Sequence, residues 1–223
     1  MLDFLREEGY LGAPRKICRK PDFSEERRLE QLGYRLVAGV DEVGRGPLAG
    51  PLIAAAVILP LNRDIPWLKL VRDSKQLTPQ RRESLFPLIQ GTALGVGIGV
   101  VTPEAIDSNG MTWANRLAMR SAIEHLSRRP DFVLTDYFKL PDLKLPQKSL
   151  TKGDSICLSI ACASIVAKVI RDSVMTEMDN VYPGYGFARH KGYATREHLL
   201  SLSRLGACPI HRRCFAAVRD HLI

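Results

Sequence analysis

The stretch that decides the fold runs Leu36-Val37-Ala38-Gly39-Val40-Asp41-Glu42-Val43-Gly44-Arg45-Gly46-Pro47-Leu48-Ala49-Gly50-Pro51. Leu36 to Val40 is an apolar run of strand character that stops on two adjacent acids. A Gly/Pro-rich turn follows, and residues 52–59 supply a second apolar run, so the two strands are predicted to form a hairpin that opens a domain. Successive strand side chains point to opposite faces, so one of Asp41 and Glu42 should point inward. Taken alone, an Asp-Glu pair reads as a solvated turn. Gly44 and Gly46 change that reading, because they flank a fixed cation, Arg45, with bare backbone whose N–H groups can approach a ligand closely.

Outward from this stretch the chain alternates helices and strands. Thr78 and Pro79 carry the N-cap and first-position signals of a helix over 79–90. Residues 92–101 (TALGVGIGVV) form a third strand whose three glycines predict close approach of a helix. Residues 113–126 are amphipathic, with Trp113 read as core. Residues 132–135 make a short buried strand that delivers Asp136 at its end. Residues 156–178 form a long helix lined by Ala161, Ala163, Ser164 and Ala167, and another helix spans about 195–205. Residues 1–33 read as a loosely attached arm with a short helix across 24–29 and Ser24 as its N-cap. Residues 34–215 are the main domain and 216–223 a tail. The expected class is α/β, a mixed central sheet flanked by helices with a small helical C-terminal part.

Bulk properties narrow the function classes. The chain has 223 residues and a formal net charge of +8, with a pI near 9.4, which suits a polyanionic partner. Five cysteines (Cys18, Cys157, Cys162, Cys208 and Cys214) include no C-x-x-C pair, against a disulfide framework or a tetrahedral zinc site. The N-terminus lacks a secretory pattern and no apolar run is long enough to span a bilayer, so the expectation is a cytoplasmic protein; monomer is the default state.

Asp154 precedes the long helix, where N-capping is the plain alternative to a ligand role. Asp41, Glu42, Asp136 and Asp154 all fall at strand or helix ends, where α/β sheets gather their sites. Their mutual repulsion calls for a cation, and oxygen-only donors suit Mg2+ or Mn2+. Two such ions would serve phosphoryl transfer. Asp131 and Asp142 lie near Asp136, and Asp136 is preferred because it ends the apolar strand. Asp172 is expected in an ion pair, His190 in a loop hydrogen bond or a proton shuttle, and His211-Arg212-Arg213 either on phosphate or as a solvated tail.

The residue 38–51 run closely resembles the opening motif of the ribonuclease HII family. The likeness continues through Asp73-Ser74-Lys75-Gln76-Leu77, Lys152-Gly153-Asp154-Ser155, the helix residues 159–172, the loop 182–193 and His211-Arg212-Arg213, covering about 34–215. The resemblance implies a ribonuclease H-like fold and endonucleolytic cutting of RNA in RNA–DNA hybrids. It also implies nicking 5′ of single ribonucleotides in duplex DNA, leaving 3′-OH and 5′-phosphate ends, as a step in ribonucleotide removal. By motif match Asp41, Glu42, Asp136 and Asp154 hold two ions, with Asp41 shared. Gly44, Arg45 and Gly46 meet the ribose 2′-OH, Tyr193 packs on the following deoxynucleotide, and Lys75 meets a phosphate. The chain departs from the family pattern where Tyr137 follows Asp136 in place of the usual glycine, and where Cys162 stands for alanine. A DNA nuclease or a non-catalytic nucleic-acid-binding module are the competing readings; the glycine-arginine-glycine loop speaks against the first and the four acids against the second.

Overall fold

The computed structural model describes residues 20–222; Cys18 and the first 19 positions of the expected arm lie outside the described residues. Five strands form one sheet in the order β3-β2-β1-β4-β5: β1 (Val37–Val43), β2 (Leu52–Ile58), β3 (Gly95–Val101), β4 (Phe132–Asp136) and β5 (Gln147–Leu150). β1, β2 and β3 are antiparallel neighbours, and β4 and β5 run parallel to β1. The sheet is therefore mixed, as expected. The opening hairpin is present too, with Asp41 opposite Ala55 and Glu42 opposite Ala54.

β2 reads LIAAAVI and is buried at every position, because both of its faces are covered. Leu52, Ala54, Ala56 and Ile58 point to one side, into a core shared with Ala114, Ala118, Met119 and Ala122 of α4 (Met111–Glu124). Ile53, Ala55 and Val57 point to the other, toward Ala161, Cys162, Ile165 and Val166 of α5 (Leu158–Val181). Close approach needs small residues on both sides. A Cβ on Gly99 would sit 2.0 Å from the Ala118 carbonyl oxygen, and one on Gly39 would sit 2.2 Å from the Ser159 backbone. Both distances are below any real contact, so α4 and α5 ride directly on sheet backbone.

The remaining helices are α1 (Ser24–Gln31), α2 (Pro79–Thr92), α3 (Pro103–Asn109), α6 (Phe187–His190), α7 (Arg196–Leu205) and α8 (Ala216–Arg219). Thr78 caps α2 as expected, accepting from the Arg81 N–H. Ser24 does not cap α1: it is the first helical residue, and Asp22 accepts its N–H at 2.8 Å. Nor is α1 loose, since Leu29 and Glu26 are buried. Glu26 accepts the Ser159 N–H at 2.9 Å and the Cys157 thiol at 3.0 Å, so an acid from α1 satisfies the first turn of α5. The capping alternative for Asp154 falls with that observation. Asp154 lies in a separate 3-10 turn, Gly153–Ser155, ahead of the helix.

Trp113 is not core; it is 42% exposed on α4. β5 was not anticipated, because its four residues QKSL are polar and only partly buried and carry no apolar alternation. α3 was also missed, although Thr102 and Pro103 give the same cap signal as Thr78 and Pro79. Among the described residues, no helix is long and apolar enough to cross a membrane.

Candidate active site

Asp41 and Gly39 lie two apart on β1, so their side-chain directions share the α5 face. One turn beyond the Gly39 crossing, Ser164 of α5 donates to the Asp41 carboxylate and contacts Ser74 Oγ at 2.8 Å. β4 runs in register beside β1, with Val40 opposite Thr135. Asp136 therefore follows as the neighbour of Asp41, on the same face. The Gly153 N–H donates to Asp136 Oδ1 at 2.8 Å and ties the 3-10 turn of Asp154 to the end of β4. One carboxylate oxygen from each of Asp41, Asp136 and Asp154 falls within 4.8 Å of the others.

Glu42, the fourth predicted acid, is not in that set. Strand alternation turns it to the other face, where Arg45 Nη1 lies 3.9 Å from its carboxylate. It remains close enough to Asp136 for their charges to interact. The inward acid of the pair is thus Asp41, which is 5% exposed.

The residues expected to meet substrate border this cluster. Lys75 Nζ lies 3.7 Å from Asp154 Oδ2 on an otherwise exposed side chain. A Cβ built on Gly46 would stand 3.9 Å from Tyr193 Cε1, so the loop and the tyrosine ring adjoin. Gly44 has φ +100, and a Cβ there would sit 2.4 Å from Arg171 Nε; only glycine fits. Tyr137 takes φ 61, the left-handed conformation that glycine adopts freely. The turn is made regardless, with the residue 67% exposed and its ring edge-on to Phe138.

Several residues escaped the sequence reading. Asp73 stands against Asp154 and raises its pKa, and its Oδ1 accepts the Lys75 N–H at 2.9 Å. Arg82 donates to the Ser74 and Leu77 carbonyls and holds the Lys75 turn. The Arg45 guanidinium lies 4.5 Å above the Phe138 ring, linking the glycine loop to the end of β4. Arg171 and Arg212 are fully buried. Arg171 donates to the Pro51, Lys191 and Ala49 carbonyls, and Arg212 to those of Gly44, Arg45, Pro47 and Gly50. Two cations thus sit beneath residues 44–51, and Arg212 is no solvated tail. Asp172 pairs with Lys168 at 2.6 Å and Arg82 at 3.6 Å, as expected. His190 makes loop hydrogen bonds to Tyr185 O and Gly192 N.

Electrostatics describe a cluster that tolerates its own charge poorly. Burial, then Glu42 and the other acids, push Asp41 well above the ordinary carboxylate range against the Ser164 hydrogen bond. Burial lifts Glu42 to about 7, with Arg45 opposing. Burial, Asp73 and Asp136 lift Asp154 to about 6, and burial raises Asp136. Clustered, buried oxygen donors that resist ionisation fit a divalent cation.

A stability test follows. Raised pKa values mean that the metal-free folded chain holds protons which the unfolded chain has released. Its stability should be full below about pH 4 and fall as pH climbs past about 6 and 7, where Asp154 and Glu42 ionise. In EDTA the melting temperature should drop between pH 5 and pH 8 by several degrees, at roughly 2–4 °C per kcal/mol for a chain this size. Added Mg2+ should restore it at pH 8 and do little at pH 5. A melt at pH 8 indifferent to Mg2+ would contradict the cation reading.

Among solved structures, the fold is similar to ribonuclease H2 from Pyrococcus horikoshii OT3 (TM-score 0.73, 27% identity, covering 83% of this chain and 96% of that one). A mixed five-stranded sheet with Asp41 inside β1 and Asp136 at the end of the neighbouring β4, together with this likeness, defines a hydrolase of the ribonuclease H type with a ribonuclease H-like fold. A sequence model of the family described as Ribonuclease HII matches residues 38–218. Ribonuclease HII from Dehalococcoides mccartyi strain 195 is 52% identical over 207 residues, covering 93% of this chain and 97% of that protein. Ribonuclease HII from Geobacter sulfurreducens is 52% identical over 197 residues, covering 88% and 89%. The chain belongs to the ribonuclease HII family.

Proposed function

We propose that this endoribonuclease cuts the RNA strand of RNA–DNA hybrids and nicks 5′ of single ribonucleotides embedded in duplex DNA, leaving 3′-OH and 5′-phosphate ends. The observation that carries the reading is the adjacency of two features. Three carboxylates gather within 4.8 Å, and Glu42 of the same strand reaches Arg45 of the glycine loop. Asp41, Glu42, Asp136 and Asp154 would hold two ions, Mg2+ or Mn2+, with Asp41 shared, and those ions would supply water activation and stabilisation of the leaving oxygen.

The chain's own residues supply selection. The 2′-OH is the group that separates RNA from DNA, and backbone N–H groups at Gly44 and Gly46 suit it. The Tyr193 ring, half exposed beside Gly46, tests by shape for a sugar without that hydroxyl. Lys75, on an exposed side chain, favours the phosphate backbone and carries no sequence information. Such an enzyme would initiate ribonucleotide removal from DNA, acting as a monomer.

The deciding assay incubates a duplex carrying one ribonucleotide with the protein and Mg2+ or Mn2+. A nick 5′ to the ribonucleotide is expected, with the all-DNA duplex left intact. Equal cutting of both duplexes, or no metal-dependent cut on this substrate or a longer hybrid, would overturn the reading. Lys75→Ala should weaken binding evenly across sequences and reduce the slope of log affinity against log salt by about one. An unchanged slope would remove Lys75 from the phosphate contacts.

A further inference from the structure

Behind Tyr193 lies a buried cluster of three imidazoles, His190, His198 and His211. His198 Nδ1 is 2.9 Å from the Tyr193 carbonyl oxygen. His198 Nε2 is 3.0 Å from His211 Nε2, and His211 Nδ1 is 3.0 Å from the Cys208 amide nitrogen and 3.0 Å from its sulfur. These contacts order themselves. A carbonyl only accepts, so His198 Nδ1 carries a hydrogen. A peptide nitrogen only donates, so His211 Nδ1 is bare and its hydrogen sits on Nε2. The bond between the rings then runs from His211 Nε2–H to the bare Nε2 of His198.

The competing arrangement places the His211 hydrogen on Nδ1, facing the Cys208 carbonyl at 3.3 Å. With both rings neutral it sets two lone pairs against each other at 3.0 Å. Relieving that clash requires a charged imidazole. Burial opposes one, since desolvation lowers both His198 and His211, the latter to about 4.

We propose that His211 and His198 are positioning residues, a directed hydrogen-bond relay from the Cys208 amide to the Tyr193 carbonyl that fixes where the Tyr193 ring stands. The inference rests on the reading of Tyr193 as the sensor of the deoxy sugar. Tyr193 needs such support because the residue is 41% exposed, its ring bordered by Gly46 and by the Arg171 guanidinium 5.9 Å from its centroid. The Thr195 N–H also donates to the Tyr193 carbonyl, at 2.8 Å, and the Tyr193 N–H donates to His190 O at 2.9 Å. His190 stacks on His198 with centroids 4.4 Å apart and accepts the Gly192 N–H at 3.2 Å. Gly192 O in turn accepts the Leu48 N–H at 2.8 Å. The relay therefore closes a frame that joins the Tyr193 ring to Leu48, in the segment between the glycine loop and β2.

Two measurements on the full chain test it. The first is the imidazole 15N spectrum of the unmodified protein at neutral pH, which needs no variant to fold. His198 should be the Nδ1–H tautomer and His211 the Nε2–H tautomer; a His211 Nδ1–H tautomer overturns the relay. The second is the ratio of kcat/KM on a duplex with one ribonucleotide to kcat/KM on an uninterrupted hybrid. His198→Ala should lower that ratio about five- to ten-fold, the worth of one buried hydrogen bond, toward the value of Tyr193→Ala. His198→Asn, whose amide nitrogen stands near the Nδ1 position, should recover most of it. A ratio kept by His198→Ala but lost by Tyr193→Ala sinks the relay alone. A ratio kept by both sinks the reading of Tyr193 and the inference with it.

Discussion

Replacing Asp41 by Asn is expected to abolish cleavage, by ~10³-fold or more in kcat (at least 4 kcal/mol of barrier), while hybrid binding survives nearly unchanged. The substitution is close to isosteric. Asn Oδ1 can still accept the Glu42 N–H, which Asp41 accepts at 2.8 Å, and the Ser164 hydroxyl can still donate. The loss is one charge at the centre of the carboxylate group. That charge is also a burden when no cation is bound, because Asp41 is buried among Glu42, Asp136 and Asp154. The variant should therefore melt higher than the parent in EDTA at pH 8 and gain less from Mg2+. Single-turnover cleavage with a binding titration measures the first half, and paired thermal melts measure the second. Normal cutting by the variant would remove Asp41 from the chemistry. Lost cutting with an unchanged Mg2+ shift would make it a catalytic group that holds no metal.

The second large effect belongs to Arg212. Its guanidinium makes five hydrogen bonds to the carbonyls of Gly44, Arg45, Pro47 and Gly50, and the residue is fully buried. Arg212→Ala leaves those buried acceptors without donors and opens a cavity under the loop. Destabilisation of about 3–5 kcal/mol is expected, in the range found when a buried polar network loses one partner. Arg212→Lys should fall between, since an ammonium offers three donors and no planar fork. Denaturant unfolding of the three proteins gives the ordering. Whatever folds of the alanine variant should also discriminate ribose from deoxyribose poorly, because Gly44 and Gly46 lose the frame that holds their backbone. A cost below about 1 kcal/mol, the worth of one ordinary hydrogen bond, would mean the loop is held elsewhere.

Much of this molecule is legible residue by residue. The apolar run into Asp41-Glu42, the all-apolar β2 and the Thr78-Pro79 cap fix their elements locally, because periodicity and capping depend on neighbours within a few positions. The glycines of β3 predict a close helix, and α4 lies on Gly97 and Gly99. The long motifs carried the family and nominated the carboxylates. β5 stayed hidden because a short polar edge strand is defined by its partner, Leu134 beside Lys148, and by nothing within itself. Trp113 misled because a helical stripe says which side chains share a face and does not say whether that face is covered.

What the sequence determined, then, was most of the elements, the family and the candidate acids, all written in short-range pattern. Tertiary structure decided which acids meet: strand alternation and the β1–β4 register put Asp41 beside Asp136 and turned Glu42 toward Arg45. It also decided that Arg212, 168 positions from Gly44 in the chain, is a buried brace and that two histidines stand behind Tyr193. Those roles arise from contacts between distant segments, where burial removes water as the alternative partner and makes each donor's choice of acceptor count.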